Sequence, residues 1–273
     1  MTQMYAKRVA RCTALMKEHS IDVLLLTKPA NMFYLTGDGR LCAFAMISQD
    51  GRVALGVPST DVDDVRGLAT FDQIAGFEDE VGMIHAIAHV FRDFGITEGA
   101  MGLEYTFLRH TMVGMMTHPH AKPAKVVARD CTPIMTALRL VKEPAEIERI
   151  KAAGVVTAAG MAAAIEAAKP GAITGELYDL VWRWVEEAGL MAWFMGHGAG
   201  RVSFIGHGLG IEVDEFPFIA QGQKLGLQAG MTFAFEPKFI MPGLGITGLE
   251  NTYLVTSDGL DSLNTATEEL LII

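Results

Sequence analysis

The sequence predicts an α/β N-terminal domain, residues 1–133, followed by an α+β domain, residues 134–273. Three observations predict it. The chain opens on a helical pattern, then a buried apolar run and a hairpin pattern. A proline-marked boundary within residues 130–143 introduces two consecutive helices. The last third changes to short β-prone runs that carry a glycine-bracketed histidine and two carboxylates. Half of the 273 residues are hydrophobic, enough for a substantial core.

Residues 5–18 place Tyr5, Val9, Cys12 and Met16 on one helix face, with Lys7, Arg11 and Lys17 around it. Residues 22–26 read as a buried strand. Pro29-Ala30-Asn31 predicts a turn before residues 32–37. Strands are expected at 42–48 and 52–57, joined by Gln49-Asp50-Gly51. A helix at 82–94 ends at Gly95, and residues 125–128 read as the last strand of the domain. Pro144 suits the first turn of an Ala-rich helix that runs to about Lys169, where Pro170-Gly171 breaks it. Thr174 is expected to cap a second helix with Leu177, Val181, Trp184 and Val185 on its buried face and Gly189 at its end.

Charge and cysteine usage exclude several function classes. The formal net charge is −10 and there is no long basic run. A nucleic-acid backbone or an anionic membrane surface is therefore not an expected partner. Cys12, Cys42 and Cys131 are far apart, odd in number and form no CxxC, which argues against a disulfide framework or a cysteine zinc site. A reducing cytoplasm is the expected compartment. No signal peptide is expected at the N-terminus, and no apolar run is expected to reach membrane-spanning length.

The chemistry centres on Phe204–Pro217, where His207 stands among Gly206, Gly208 and Gly210. These glycines are expected to let the backbone pass close to an ion or substrate. Glu236 and Glu250 lie in apolar, β-prone runs, and each is expected to project from a strand face into one site with His207. One imidazole and two carboxylates suit a divalent ion such as Zn²⁺ or Mn²⁺. Other histidines are weaker candidates. His85 and His89 share a helix face but no glutamate follows His85, so an exposed helical pair is the preferred reading. Residues 243–248 fit GxGxxG formally, yet a β-like Tyr253-Leu254-Val255 follows where a helix should start. Trp182, Trp184 and Trp193 are expected in the core or a pocket wall.

Taken together, His207-Gly-Leu-Gly, Phe235-Glu236-Pro237 and Leu249-Glu250-Asn251 resemble the C-terminal half of the pita-bread metallohydrolases. That family contains Xaa-Pro dipeptidases, aminopeptidase P, methionine aminopeptidase and creatinase. The opening helix and strand, with Pro29-x-Asn31-x-x-Tyr34-Leu-Thr-Gly37, are similar to the start of the creatinase/prolidase N-terminal domain. The resemblance implies that domain, then a shortened pita-bread domain. It implies a metal-dependent Xaa-Pro peptidase of dipeptidase or aminopeptidase P type, acting on a small peptide or other small molecule, as a homodimer. The implied metal ligands are His207, Glu236 and Glu250, for Mn, Co or Zn. Catalytic roles are implied for His207, for Asp214, which stands seven residues on where the peptidases commonly carry a second His, and for His197 from a loop.

The family's site has five ligands, two of them Asp on a β-hairpin. Asp130, Asp179, Asp214, Asp258 and Asp261 offer no suitable pair within residues 130–273. Lys169-Pro170-Gly171 joins the two helices directly, as if one half-repeat had been excised. At most one ion and weakened turnover are therefore expected. The alternative is a non-catalytic or internally deleted family member that acts as a binding or dimerisation module.

Overall fold

In the computed structural model, which describes residues 3–191, 194–196, 201–241 and 245–264, the first apolar run becomes a strand covered on both faces. A helix, α1 (Gln3–Glu18), precedes it and buries Val9, Cys12 and Met16. In β1 (Val23–Leu26), Leu24 and Leu26 enter one core while Val23 and Leu25 enter the other. A strand buried on both faces has no polar alternation, which is why this run is continuously apolar.

The expected turn at Pro29 is instead a helix, α2 (Pro29–Thr36). Proline loses no hydrogen bond in a first turn, and Gly37 closes the helix at φ 96°. The hairpin β2 (Phe44–Ser48) and β3 (Val53–Pro58) turns at Gly51, φ 93°. The chain continues through α3 (Val62–Leu68), β4 (Gln73–Phe77), α4 (Glu80–Asp93), β5 (Glu98–Leu103), α5 (His110–Met116), β6 (Lys125–Asp130) and α6 (Thr132–Leu140). The sheet order is β4-β3-β2-β1-β5-β6, with β1, β2 and β3 antiparallel and the outer pairings parallel. Apolar side chains of α1 and α6 fill one core and those of α4 fill the other.

The chain divides into units after Val141, not after residue 133. The reason is α6, whose Ile134, Met135 and Leu138 belong to the first core. Tyr34 also donates to the Leu138 carbonyl at 3.0 Å, and Arg139 donates to Asn31 Oδ1 at 2.6 Å.

The second unit begins with α7 (Pro144–Ala167), whose Glu143 and Glu146 form a reciprocal capping box. Residues 168–173 lead directly into α8 (Thr174–Glu187), with no strand between the helices. Met161, Ala164 and Ala168 meet Leu177, Val181 and Val185 in one core. Thr174 is not the cap. Ile173 holds that position, and the Thr174 hydroxyl is buried without a hydrogen-bond partner. By length and composition α7 is apolar enough to cross a membrane, contrary to the expectation above. Alanine, glycine and valine fill it between few charges, and core helices of soluble proteins meet the same test.

Among the described residues, seven strands follow: β7 (Phe204–Gly208), β8 (Glu215–Ala220), β9 (Thr232–Phe235), β10 (Lys238–Met241), β11 (Gly245–Gly248), β12 (Asn251–Val255) and β13 (Leu260–Ser262). Five form an antiparallel sheet in the order β13-β12-β9-β7-β8, and β10 pairs with β11 separately. The glycine-rich run at 245–248 is thus a strand, not the start of a nucleotide-binding helix.

Candidate metal centre

Strand register brings the three expected ligands together. His207 lies opposite Ala234, and Ala234 lies opposite Thr252. Directly paired residues share a sheet face, and so do residues two apart on one strand. Glu236 is two after Ala234 and Glu250 two before Thr252, so all three side chains emerge on one face. Their ligand atoms lie within 4.8 Å of one another.

The expectation that both glutamates sit inside strands needs correction. Glu236 is one residue past β9 and Glu250 one residue before β12. Pro237 follows Glu236 and has no N–H to continue the ladder. The Glu236 amide still donates to the Ile205 carbonyl at 2.8 Å, which preserves the alternation. His207 and Glu236 are buried, whereas Glu250 is exposed.

His207 is polarised by its surroundings. Its Nδ1 lies 3.1 Å from the Gly208 carbonyl oxygen and 3.2 Å from Asp214 Oδ1. Both neighbours are acceptors, which places the proton on Nδ1. The Nε2 lone pair then faces the carboxylates, 3.8 Å from Glu236 Oε1. Asp214 is exposed in the loop between β7 and β8, and it touches the imidazole itself. The other Glu236 oxygen, Oε2, is paired with the Lys238 ammonium. Lys238 was not among the expected site residues. The signal in the sequence is its spacing, two residues after Glu236.

Two of the glycines around His207 make room for neighbouring backbone. A Cβ at Gly208 would lie 2.1 Å from the Phe216 carbonyl oxygen, and one at Gly206 would lie 2.6 Å from that of Ala234. At Gly210 the obstacle is Glu215 Oε1, at 2.4 Å. Close strand approach therefore requires Gly206 and Gly208, whereas at Gly210 the flexible end of Glu215 can shift. His197 and Trp193 lie outside the described residues. His85 and His89 are exposed on α4, where His89 Nε2 stands 3.4 Å from Asp93 Oδ2.

Comparison with known proteins matches this architecture. Residues 8–141 match the creatinase/prolidase N-terminal domain, and residues 128–257 match metallopeptidase family M24. Taken end to end, the two matches give a creatinase/prolidase-type N-terminal domain followed by a metallopeptidase family M24 domain.

The chain is 35% identical over 111 residues to the Xaa-Pro dipeptidase of Lactobacillus delbrueckii subsp. lactis. It is 40% identical over 111 residues to that of Lactobacillus helveticus. Each match covers 41% of this chain and 28% of the relative's length. Among solved structures, the Xaa-Pro dipeptidase from Bacillus anthracis aligns at a TM-score of 0.51 and 18% identity, over 98% of this chain and 100% of that one. This likeness shows the fold, a creatinase/prolidase N-terminal domain followed by an M24 domain of pita-bread type.

Proposed function

We propose that this chain carries a metal-dependent Xaa-Pro peptidase centre, of dipeptidase or aminopeptidase P type, that holds at most one divalent ion and turns over slowly. One observation carries the reading: His207, Glu236 and Glu250 converge on one sheet face, with two acceptor oxygens at the far nitrogen of the histidine. The donor set fits one Mn²⁺, Co²⁺ or Zn²⁺. Ligand atoms about 2.1 Å from a tetrahedral ion sit roughly 3.4 Å apart. The 3.8 Å between His207 Nε2 and Glu236 Oε1 thus needs only a small contraction. When bound, the ion would act as a Lewis acid toward a peptide carbonyl and lower the pKa of a water.

The chain's own residues set the limits. Glu236 and Glu250 are the only carboxylates in the three-residue cluster found among the described residues. Two dications would want more anionic ligands than these two provide. Asp214 orients His207 and accepts hydrogen bonds; it offers no donor to a developing oxyanion. One such donor is worth roughly 2.7–4 kcal/mol. The substrate is a small peptide, and the proposed setting is a cytoplasmic homodimer without nucleic-acid or membrane partners.

The test is hydrolysis of several Xaa-Pro dipeptides by the purified chain with MnCl₂, CoCl₂ or ZnCl₂, beside its Glu236→Gln variant and a full-length dipeptidase. The expected turnover is at least about a hundredfold below the full-length enzyme, from the missing donor alone, and is abolished by the substitution. Turnover that matches the full-length enzyme would overturn the impaired reading. Turnover indifferent to Glu236→Gln would remove the site.

A second reading is a binding or dimerisation module without catalysis. It is favoured by the hold of Lys238 on Glu236, by exposed Val213, and by exposed Phe216 on the edge strand β8.

A further inference from the structure

We propose that Lys238 is a tethered cation that occupies the second face of the Glu236 carboxylate, restricting the centre to one divalent ion and weakening its hold on that ion. The inference rests on the metal-centre reading above and goes beyond it by naming the residue that sets occupancy and affinity.

The two Glu236 oxygens have different partners. Oε1 faces His207 Nε2 and Oε2 pairs with the Lys238 ammonium. A carboxylate that bridges two ions with one oxygen on each needs both oxygens free. Here one side is already taken by a charge covalently attached two residues away. Glu236 and Glu250 contribute two negative charges to the cluster and Lys238 returns one positive. With Asp214 at the imidazole adding a third negative charge, a single dication neutralises the site, and a second would leave it net positive.

The surroundings hold the lysine in place. Lys238 opens β10 and pairs with Gly248 of β11. A Cβ at Gly248 would lie 2.8 Å from Lys238 Cγ, so glycine there leaves room for the lysine stem. The Lys238 amide donates to Met195 Sδ at 3.2 Å, and the Met195 amide donates to the Lys238 carbonyl at 2.8 Å. The backbone is thus fixed on both sides. The side chain is 40% exposed, so an arriving ion can displace the ammonium into solvent rather than bury it unpaired.

The experiment is equilibrium dialysis and calorimetric titration of the full chain with ZnCl₂ and MnCl₂. Four variants accompany it: Lys238→Met, Lys238→Gln, Lys238→Arg and His207→Ala. The wild type should bind no more than one equivalent. A hydrogen bond to a charged group, once removed from competition, corresponds to about ten- to hundredfold in affinity. Lys238→Met and Lys238→Gln should each bind the ion that much more tightly, with Lys238→Arg near wild type. Two neutral replacements are used so that misfolding of one leaves the other decisive. Unchanged affinity in both, or two equivalents bound by the wild type, would overturn the proposal. If His207→Ala abolishes binding while the lysine variants change nothing, this inference alone fails. If binding survives His207→Ala, the metal-centre reading fails and takes this inference with it.

Discussion

Replacing Glu236 by glutamine should leave the fold nearly intact and remove its stabilisation by metal. The side chain keeps its shape but loses the charge that pairs with Lys238 and faces His207. Hydrogen bonds to charged groups are worth roughly 1.5–3 kcal/mol, and solvent screening reduces this for a partner 40% exposed. The metal-free cost is therefore about 1 kcal/mol. An ion at a hundred times its Kd stabilises the wild type by about 2.7 kcal/mol. In a unit of about 130 residues each kcal/mol moves Tm by roughly 3–5 °C, so metal should raise Tm by roughly 8–13 °C. Thermal melts of the full chain, with and without ZnCl₂ or MnCl₂ and after EDTA, read both effects. Glu236→Gln should melt roughly 3–5 °C lower without metal and respond to metal by less than about 2 °C. A metal shift undiminished in this variant would refute the reasoning, because the ion would then bind elsewhere.

Gly208→Ala should cost about 3 kcal/mol or more in urea unfolding, because its Cβ would meet the Phe216 carbonyl oxygen at 2.1 Å and part β7 from β8. An unchanged midpoint would contradict that packing. The thiols should be unreactive in the native state. Burial pushes Cys12 up to about 12; burial, then the Asp38 carboxylate, pushes Cys42 up to about 12; burial raises Cys131 as well. Iodoacetamide at pH 8 should label none of the three by mass spectrometry until urea is added. Because the folded values are raised, this contribution to stability is complete below the ordinary thiol value of 9.0 and is lost as pH rises toward about 12. The urea midpoint should therefore fall above about pH 9.

Elements were legible in the sequence where one local pattern dominates. The face of α1 follows helical spacing, β1 is a continuous apolar run, and Gly51 marks the β2–β3 turn. The strands β4 and β5 were not legible, since Gln73–Phe77 and Glu98–Leu103 mix glycine and polar residues, and long-range parallel pairing makes them strands. Pro29 read as a turn because a proline opens turns and helices alike. Only the following residues, closed by Gly37 in the left-handed region, decide for the helix. The segment before Pro144 read as a boundary, yet Leu138 and its neighbours are held by the first core.

The candidate site divides in the same way. By itself the sequence determined which side chains are available, His207, Glu236 and Glu250, because ligand chemistry resides in residue type. It also carried the family resemblance, through the order and kind of three short motifs. Only the tertiary structure decided that Glu236 and Glu250 stand beside His207, that Asp214 turns to the imidazole, and that Lys238 closes the far side of Glu236. Those placements depend on the register of β7, β9 and β12 and on the break in pairing at Pro237. Register is a relation between distant segments, so no local pattern along the chain encodes it.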